Sequence, residues 1–86
     1  MFYVYVLRSK RDSGFYLGYT ADLKKRLNLH KSGKVESTKN RRPLQLVYYE
    51  ASLCQEDALH RERYLKTAYG KRYLKQRLKE QLEEAT

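Results

Sequence analysis

Two short runs of aromatic and β-branched residues bracket a turn at the start of the chain, and this pairing limits the fold more than any bulk property. Residues 2–7 read Phe-Tyr-Val-Tyr-Val-Leu and residues 15–19 read Phe-Tyr-Leu-Gly-Tyr. Such side chains pack well on a pleated surface, so both runs predict strands. The polar stretch between them contains Asp12-Ser13-Gly14, residues suited to a tight reversal. A hairpin is expected. Strand side chains alternate, so Tyr3 and Tyr5 share a face of the first strand, and Tyr16 and Gly18 share a face of the second. If those faces coincide, Tyr5 and Tyr16 enter the same space and Gly18 leaves room beside them.

Helical periodicity follows. Leu23, Leu27 and His30 recur at helical spacing over residues 21–32. Thr20 or Asp22 is the candidate cap, and Gly33 suits the C-terminal stop. Pro43 precedes a third strand over residues 44–50. Ser52 and Gln55 have the spacing of a capping box, predicting a helix that runs to Tyr69 and stops at Gly70. On it Ala58, Glu62, Leu65 and Tyr69 fall on one face. A last helix from Lys71 carries Leu74, Leu78 and Leu82, then frays in the acidic stretch Glu80 to Glu84. The order is β-β-α-β-α-α. Three strands are too few for a barrel, so the expected fold is α/β of the α+β kind: a small, mostly antiparallel three-stranded sheet flanked by helices.

The length of 86 residues suits one modest core, and residues 1–86 are expected to form a single domain. Nineteen Lys and Arg against ten acidic residues give a net charge of +9, the balance of a protein that meets a polyanion. Residues 1–50 hold eleven basic and four acidic residues, residues 51–86 eight and six. The basic excess thus lies with the tyrosine strands. Cys54 is the only cysteine, which rules out an intramolecular disulfide and leaves a Cys/His zinc site without ligands. A reducing, cytoplasmic setting is expected, with Cys54 buried. No apolar run reaches membrane-spanning length, and Met1-Phe2-Tyr3 offers no cationic leader.

Against this frame stands a spaced set of polar residues. Tyr16 lies eleven positions after Tyr5, Arg26 ten after Tyr16, His30 one helical turn beyond Arg26, and Glu62 far downstream on a helix. Taken singly, each has a plain reading. The tyrosines pack across strands, Arg26 is one of three solvated cations in Lys24-Lys25-Arg26, and His30 is a part-buried helix residue. Glu62 is harder to dismiss, because a carboxylate facing Ala58 and Leu65 needs a cation.

As an ordered set the residues resemble the GIY-YIG nuclease family, over nearly the whole chain and closest to its small stand-alone bacterial members. Tyr3-Val4-Tyr5 is similar to the first motif, with Tyr3 where the family name has Gly, and Tyr16-Leu17-Gly18 is similar to the second. The resemblance implies a metal-dependent endonuclease. Glu62 would hold one Mg²⁺ or Mn²⁺, Arg26 would fork onto the scissile phosphate, Tyr5 would help activate water, and Tyr16 and His30 would orient water or phosphate. A free phenol near pKa ~10 needs a cation beside it to act as a base. Lys24, Lys25, Lys34, Lys39, Arg41 and Arg42 are the candidate nucleic-acid contacts. Lys39 also falls where relatives place a further site residue. Family nucleases often carry a C-terminal asparagine, whereas Asn28 and Asn40 are the only asparagines here and Gln76 is the candidate substitute.

Three readings stand at this point. The first is an endonuclease acting on DNA more than RNA, on branched or single-stranded structures, with a protein partner supplying targeting. The second is a catalytically weak or inactive nucleic-acid-binding module of the same fold. The third is a protein-interaction domain whose charge serves solubility.

Overall fold

Alternation along the first strand decides how the molecule is layered. A computed structural model describes residues 1–84. Strand β1 (Phe2–Ser9) pairs antiparallel with β2 (Phe15–Thr20) on one side and β3 (Leu44–Ser52) on the other, giving the order β2-β1-β3. Helix α1 (Leu23–Lys31) lies between β2 and β3 in sequence. Helices α2 (Gln55–Leu65), α3 (Ala68–Arg77) and α4 (Lys79–Glu84) follow β3. The order β-β-α-β-α-α holds, with the last helical stretch divided at Leu78, and the sheet is antiparallel throughout.

Val4, Val6 and Leu17 form a core with Ala58 and Leu65 of α2 and with Leu74 and Leu78 at the end of α3. The β1–β3 register slips between Val6 and Leu7. Val47 joins the core at this irregularity, while its neighbour Tyr48 packs against the same core. Glu50 then ties the helices to the sheet. Its carboxylate accepts from Arg61 Nε at 2.8 Å and from Tyr48 Oη at 2.6 Å, and Tyr73 Oη lies 3.3 Å from Tyr48 Oη. Burial alone would raise the Glu50 pKa, but the Arg61 and Tyr48 hydrogen bonds outweigh it and hold the carboxylate below its ordinary value.

Several expectations are corrected. Helix α1 is shorter than residues 21–32, because Asp22 stands outside as its cap and accepts from the Lys25 amide at 3.1 Å. Gly33 ends it at φ 77°, as its place predicts. Ser52 is consumed by the ladder opposite Phe2, so no capping box forms. Cys54 is the α2 cap instead, without a side-chain bond, and is exposed rather than buried. The helix predicted to reach Tyr69 ends at Leu65. Thr67 breaks it: its hydroxyl donates to the Tyr64 carbonyl at 2.6 Å and accepts from the Gly70 amide at 3.2 Å, capping α3. Gly70 is therefore no stop signal. It lies inside α3, where a Cβ would strike the Tyr64 carbonyl oxygen and Leu65 Cα, so only glycine permits this close α2–α3 elbow. Tyr69 leaves the apolar stripe and is exposed. The acidic stretch is helical as far as Glu84. Among the described residues no helix is long and apolar enough to cross a membrane.

Candidate active site

The hairpin register brings the first two site residues together. Tyr5 pairs directly with Gly18, and Tyr16 pairs with Leu7, two residues along the same face. The Tyr5 and Tyr16 ring centroids lie 6.4 Å apart. Gly18 is required by contact: a Cβ there would overlap the Tyr5 phenol oxygen and Cζ. The tyrosine ring thus lies over the glycine, which the alternation of the two strands foretells.

Helix α1 supplies the next two residues from one side, because Arg26 and His30 are one turn apart. Arg26 Nε donates to Tyr5 Oη at 3.3 Å, and Tyr5 Oη lies 2.7 Å from His30 Nε2. The His30 ring meets the Tyr16 ring edge-on at 5.2 Å. Its other nitrogen, Nδ1, lies 2.8 Å from Thr38 Oγ1. Tyr5, His30 and Thr38 are all essentially closed to solvent. Thr38 lies in the polar loop after α1, and no sequence signal marks it. A buried imidazole has two nitrogens to satisfy, and Thr38 satisfies the second.

Protonation follows from this geometry. Burial, and then the Arg26 charge, push the His30 pKa below its ordinary 6.5, so the ring is neutral at pH 7. Burial raises the Tyr5 phenol above its ordinary 10.0, although the Arg26 hydrogen bond pulls the other way. Tyr5 therefore keeps its proton; because its oxygen already accepts from Arg26, assigning that proton to His30 Nε2 and the His30 Nδ1–H to Thr38 satisfies every buried partner. The result is a directed chain, Arg26 to Tyr5 to His30 to Thr38. The bond to Tyr5 helps hold the Arg26 guanidinium cationic.

Glu62 comes from α2. It is near enough for its charge to help raise the Tyr5 pKa. Its side chain is 18 % exposed, and Lys66 Nζ lies 3.6 Å from Oε2. Among the described residues no group of three or more His, Cys, Asp or Glu gathers as a metal cluster. The donor set is one carboxylate, which leaves a cation's remaining positions to water and substrate. That fits a hard cation that retains most of its waters, as Mg²⁺ and Mn²⁺ do, better than a fully caged ion.

The basic candidates divide. Lys24, Lys25 and Lys34 are exposed on and just after α1. Lys39 pairs with Glu36 at 3.0 Å and makes no bond to the Tyr5 cluster. Arg41 forks onto Asp12 at 2.9 and 3.3 Å, bracing the hairpin turn, and Ser9 Oγ donates to its carbonyl at 2.6 Å. Arg42 donates to the carbonyls of Lys39 at 3.0 Å and Lys31 at 3.4 Å. Both arginines thus spend donors on the fold. Gln76 is exposed on α3, and His60 is exposed on α2.

A pH dependence follows from His30. The unfolded chain takes up its imidazole proton near pH 6.5, while the buried ring resists until lower pH. Stability is therefore full above 6.5 and falls as the pH drops toward the lowered folded value. The slope is no steeper than about 1.4 kcal/mol per pH unit, the limit for one proton. Asp12 and Glu50 are held below their ordinary 3.8 and 4.5, so their protonation belongs to a more acid window. Thermal melts between pH 7.5 and 5 check this: wild type loses stability, and His30→Gln shows a flatter profile.

Comparison with known proteins gives the arrangement its family. A family model described as the GIY-YIG catalytic domain matches residues 1–81. A UPF0213 protein of Staphylococcus saprophyticus is 40% identical over 74 residues, covering 85% of this chain and 89% of that protein. A UPF0213 protein of Streptococcus pneumoniae serotype 4 is 42% identical over 65 residues, which are 74% of this chain and only 65% of that protein. A UPF0213 protein of Bacillus halodurans, solved by solution NMR, is 38% identical with a TM-score of 0.49, covering 100% of this chain and 86% of that one. This chain belongs to the GIY-YIG family, a nuclease family whose substrates are nucleic acids.

Proposed function

We propose that the protein is a metal-dependent endonuclease that hydrolyses phosphodiester bonds in DNA, acting on single-stranded or branched structures. The observation that carries this reading is the directed chain from Arg26 through Tyr5 to His30, with Glu62 alongside. A chain of that kind can pass a proton from one member to the next, which is what cleavage of a phosphodiester asks of a phenol and an imidazole.

The roles follow from the atoms. As water attacks phosphorus and the P–O bond to the leaving oxygen breaks, the water's proton passes to Tyr5 Oη, the phenol's own proton passes to His30 Nε2, and the departing alkoxide takes a proton from solvent. His30 is neutral and already aligned for it. The Thr38 bond fixes the imidazole so that Nε2 faces the phenol. The Arg26 charge lowers the cost of negative charge on Tyr5 Oη, and its remaining N–H groups can fork onto a phosphoryl oxygen. Tyr16 borders the His30 ring and helps to position it. A divalent cation held by Glu62 would supply Lewis-acid neutralisation of charge on the phosphoryl group. Lys24, Lys25 and Lys34 would contact phosphates. We place the protein in the cytoplasm, consistent with its lone free thiol, with a protein partner for targeting.

One observation favours the second reading, a binding module with little catalysis: Tyr5 is fully enclosed and its pKa is raised, the reverse of a ready base. A panel of labelled single-stranded, duplex, flap and branched DNAs and RNAs with Mg²⁺ or Mn²⁺ decides between the two. The nuclease reading expects metal-dependent cutting that Glu62→Ala abolishes. Salt-sensitive binding without cutting under any divalent metal would overturn it.

A further inference from the structure

Beside the chain from Arg26 to Thr38, α1 and the sheet edge at β3 flank two cavities of about 420 and 450 Å³; both are lined by Lys24 and Leu27, and together they make one trough along the helix. Strand β3 is an edge strand, so no strand covers its outer side. At one end Tyr3 and Tyr49 present a tilted aromatic pair with ring centroids 6.3 Å apart, and Tyr49 is 54% exposed. At the other end the floor is aliphatic, made by Leu7, Leu27, Leu44 and Leu46, with Asn28 on the wall. Lys10, Lys24 and Lys31 rim the trough, and none of them forms an ion pair among the described residues. Asp22 is the one acidic residue lining it, and its carboxylate is committed to capping α1.

We infer that this trough is a binding site for the unpaired bases of a single-stranded nucleic acid. Unpartnered lysines beside exposed rings and an apolar floor are what a polyanion with flat apolar faces requires. Each cavity lies within the roughly 300–1,000 Å³ range of sites that enclose a small ligand. That admits an unstacked base, whereas the bases of a duplex keep their faces inside the helical stack and cannot offer them to Tyr49 or the aliphatic floor. One base stacks on Tyr49, the next enters the aliphatic cavity beside Asn28, and the three lysines take the phosphate between them and those that flank it. Continuity with the Tyr5 cluster supports the assignment. Tyr49 is the cross-strand neighbour of Tyr5, and His30 lines the aliphatic cavity. The inference rests on the nucleic-acid reading of the site and deepens it: strand separation at the scissile position becomes a binding requirement.

The test is fluorescence anisotropy of the full chain with a labelled 12-nucleotide single strand and the matching duplex, in EDTA so that cleavage plays no part. The single strand is expected to bind about tenfold tighter than the duplex. Tyr49→Ala is expected to weaken single-strand binding about tenfold, the loss of one stacked base. Lys24→Gln is expected to lower the salt slope by about one. The two exposed substitutions also control for each other's folding. Wild-type single-strand affinity in both variants would overturn the inference and leave the open edge of β3 to a peptide strand. A parallel cleavage assay separates the two readings. Weakened binding in the variants with no cutting by wild type sinks the nuclease alone. Cutting by wild type with unweakened binding in the variants sinks the trough alone.

Discussion

Tyr5→Phe is expected to lower the cleavage rate by about 10²–10⁴-fold, the usual contribution of a positioned proton-transfer group. Phe fills the same enclosed volume, so the sheet and the Gly18 contact survive. What disappears is one oxygen with two partners, Arg26 at 3.3 Å and His30 at 2.7 Å. The buried His30 Nε2 is then left without a donor, which costs about 1–3 kcal/mol of stability. Single-turnover cleavage alongside a thermal melt separates the effects. A variant that is destabilised but cuts at the wild-type rate would remove Tyr5 from the reaction. His30→Gln provides the companion measurement. It too is expected to cut slowly, and the double variant should be little worse than either single one, because both act on the same proton.

Gly18→Ala carries the second large effect, and it reaches the chemistry through packing. The added methyl would occupy the position of the Tyr5 phenol oxygen and Cζ. The ring is enclosed and packed over the central strand, so neither gives way without cost. Overpacking of this kind costs about 1–3 kcal/mol. The cheapest relief is rotation of the Tyr5 ring away from His30, which breaks the proton chain. Cleavage is therefore expected to fall nearly as far as in Tyr5→Phe, although no polar atom has been removed. Near-ultraviolet circular dichroism of the tyrosines and single-turnover rates check both halves. Wild-type rates in Gly18→Ala would show that the ring seat tolerates displacement.

Period-two alternation in residues 2–7 and 15–19 was sufficient to place Tyr5, Tyr16 and Gly18 on one face, and period-four spacing placed Arg26 and His30 on one helix side. These are local regularities, and each was legible because one element carries it. The strand order β-β-α-β and the pairing of the first two strands followed in the same way. Element ends were less legible. Ser52 and Gln55 have capping-box spacing, yet the third strand claims Ser52 for its ladder. Gly70 has the composition of a stop, yet it exists because α3 crosses the α2 backbone too closely for a Cβ. In both cases a tertiary contact outweighed a local preference.

What the sequence by itself determined is the hairpin, the basic half of the chain, and the identity and faces of the polar set, because side-chain period and turn chemistry act over a few residues. What only the tertiary structure decided is how that set is wired. Thr38 completes the His30 ring from a loop eight residues away, Glu62 approaches Tyr5 from a helix more than fifty residues downstream, and Arg41 and Arg42 also brace the fold. The protonation states that give the chain its direction arise from burial. Burial is a property of the assembled core, so no window of sequence contains it.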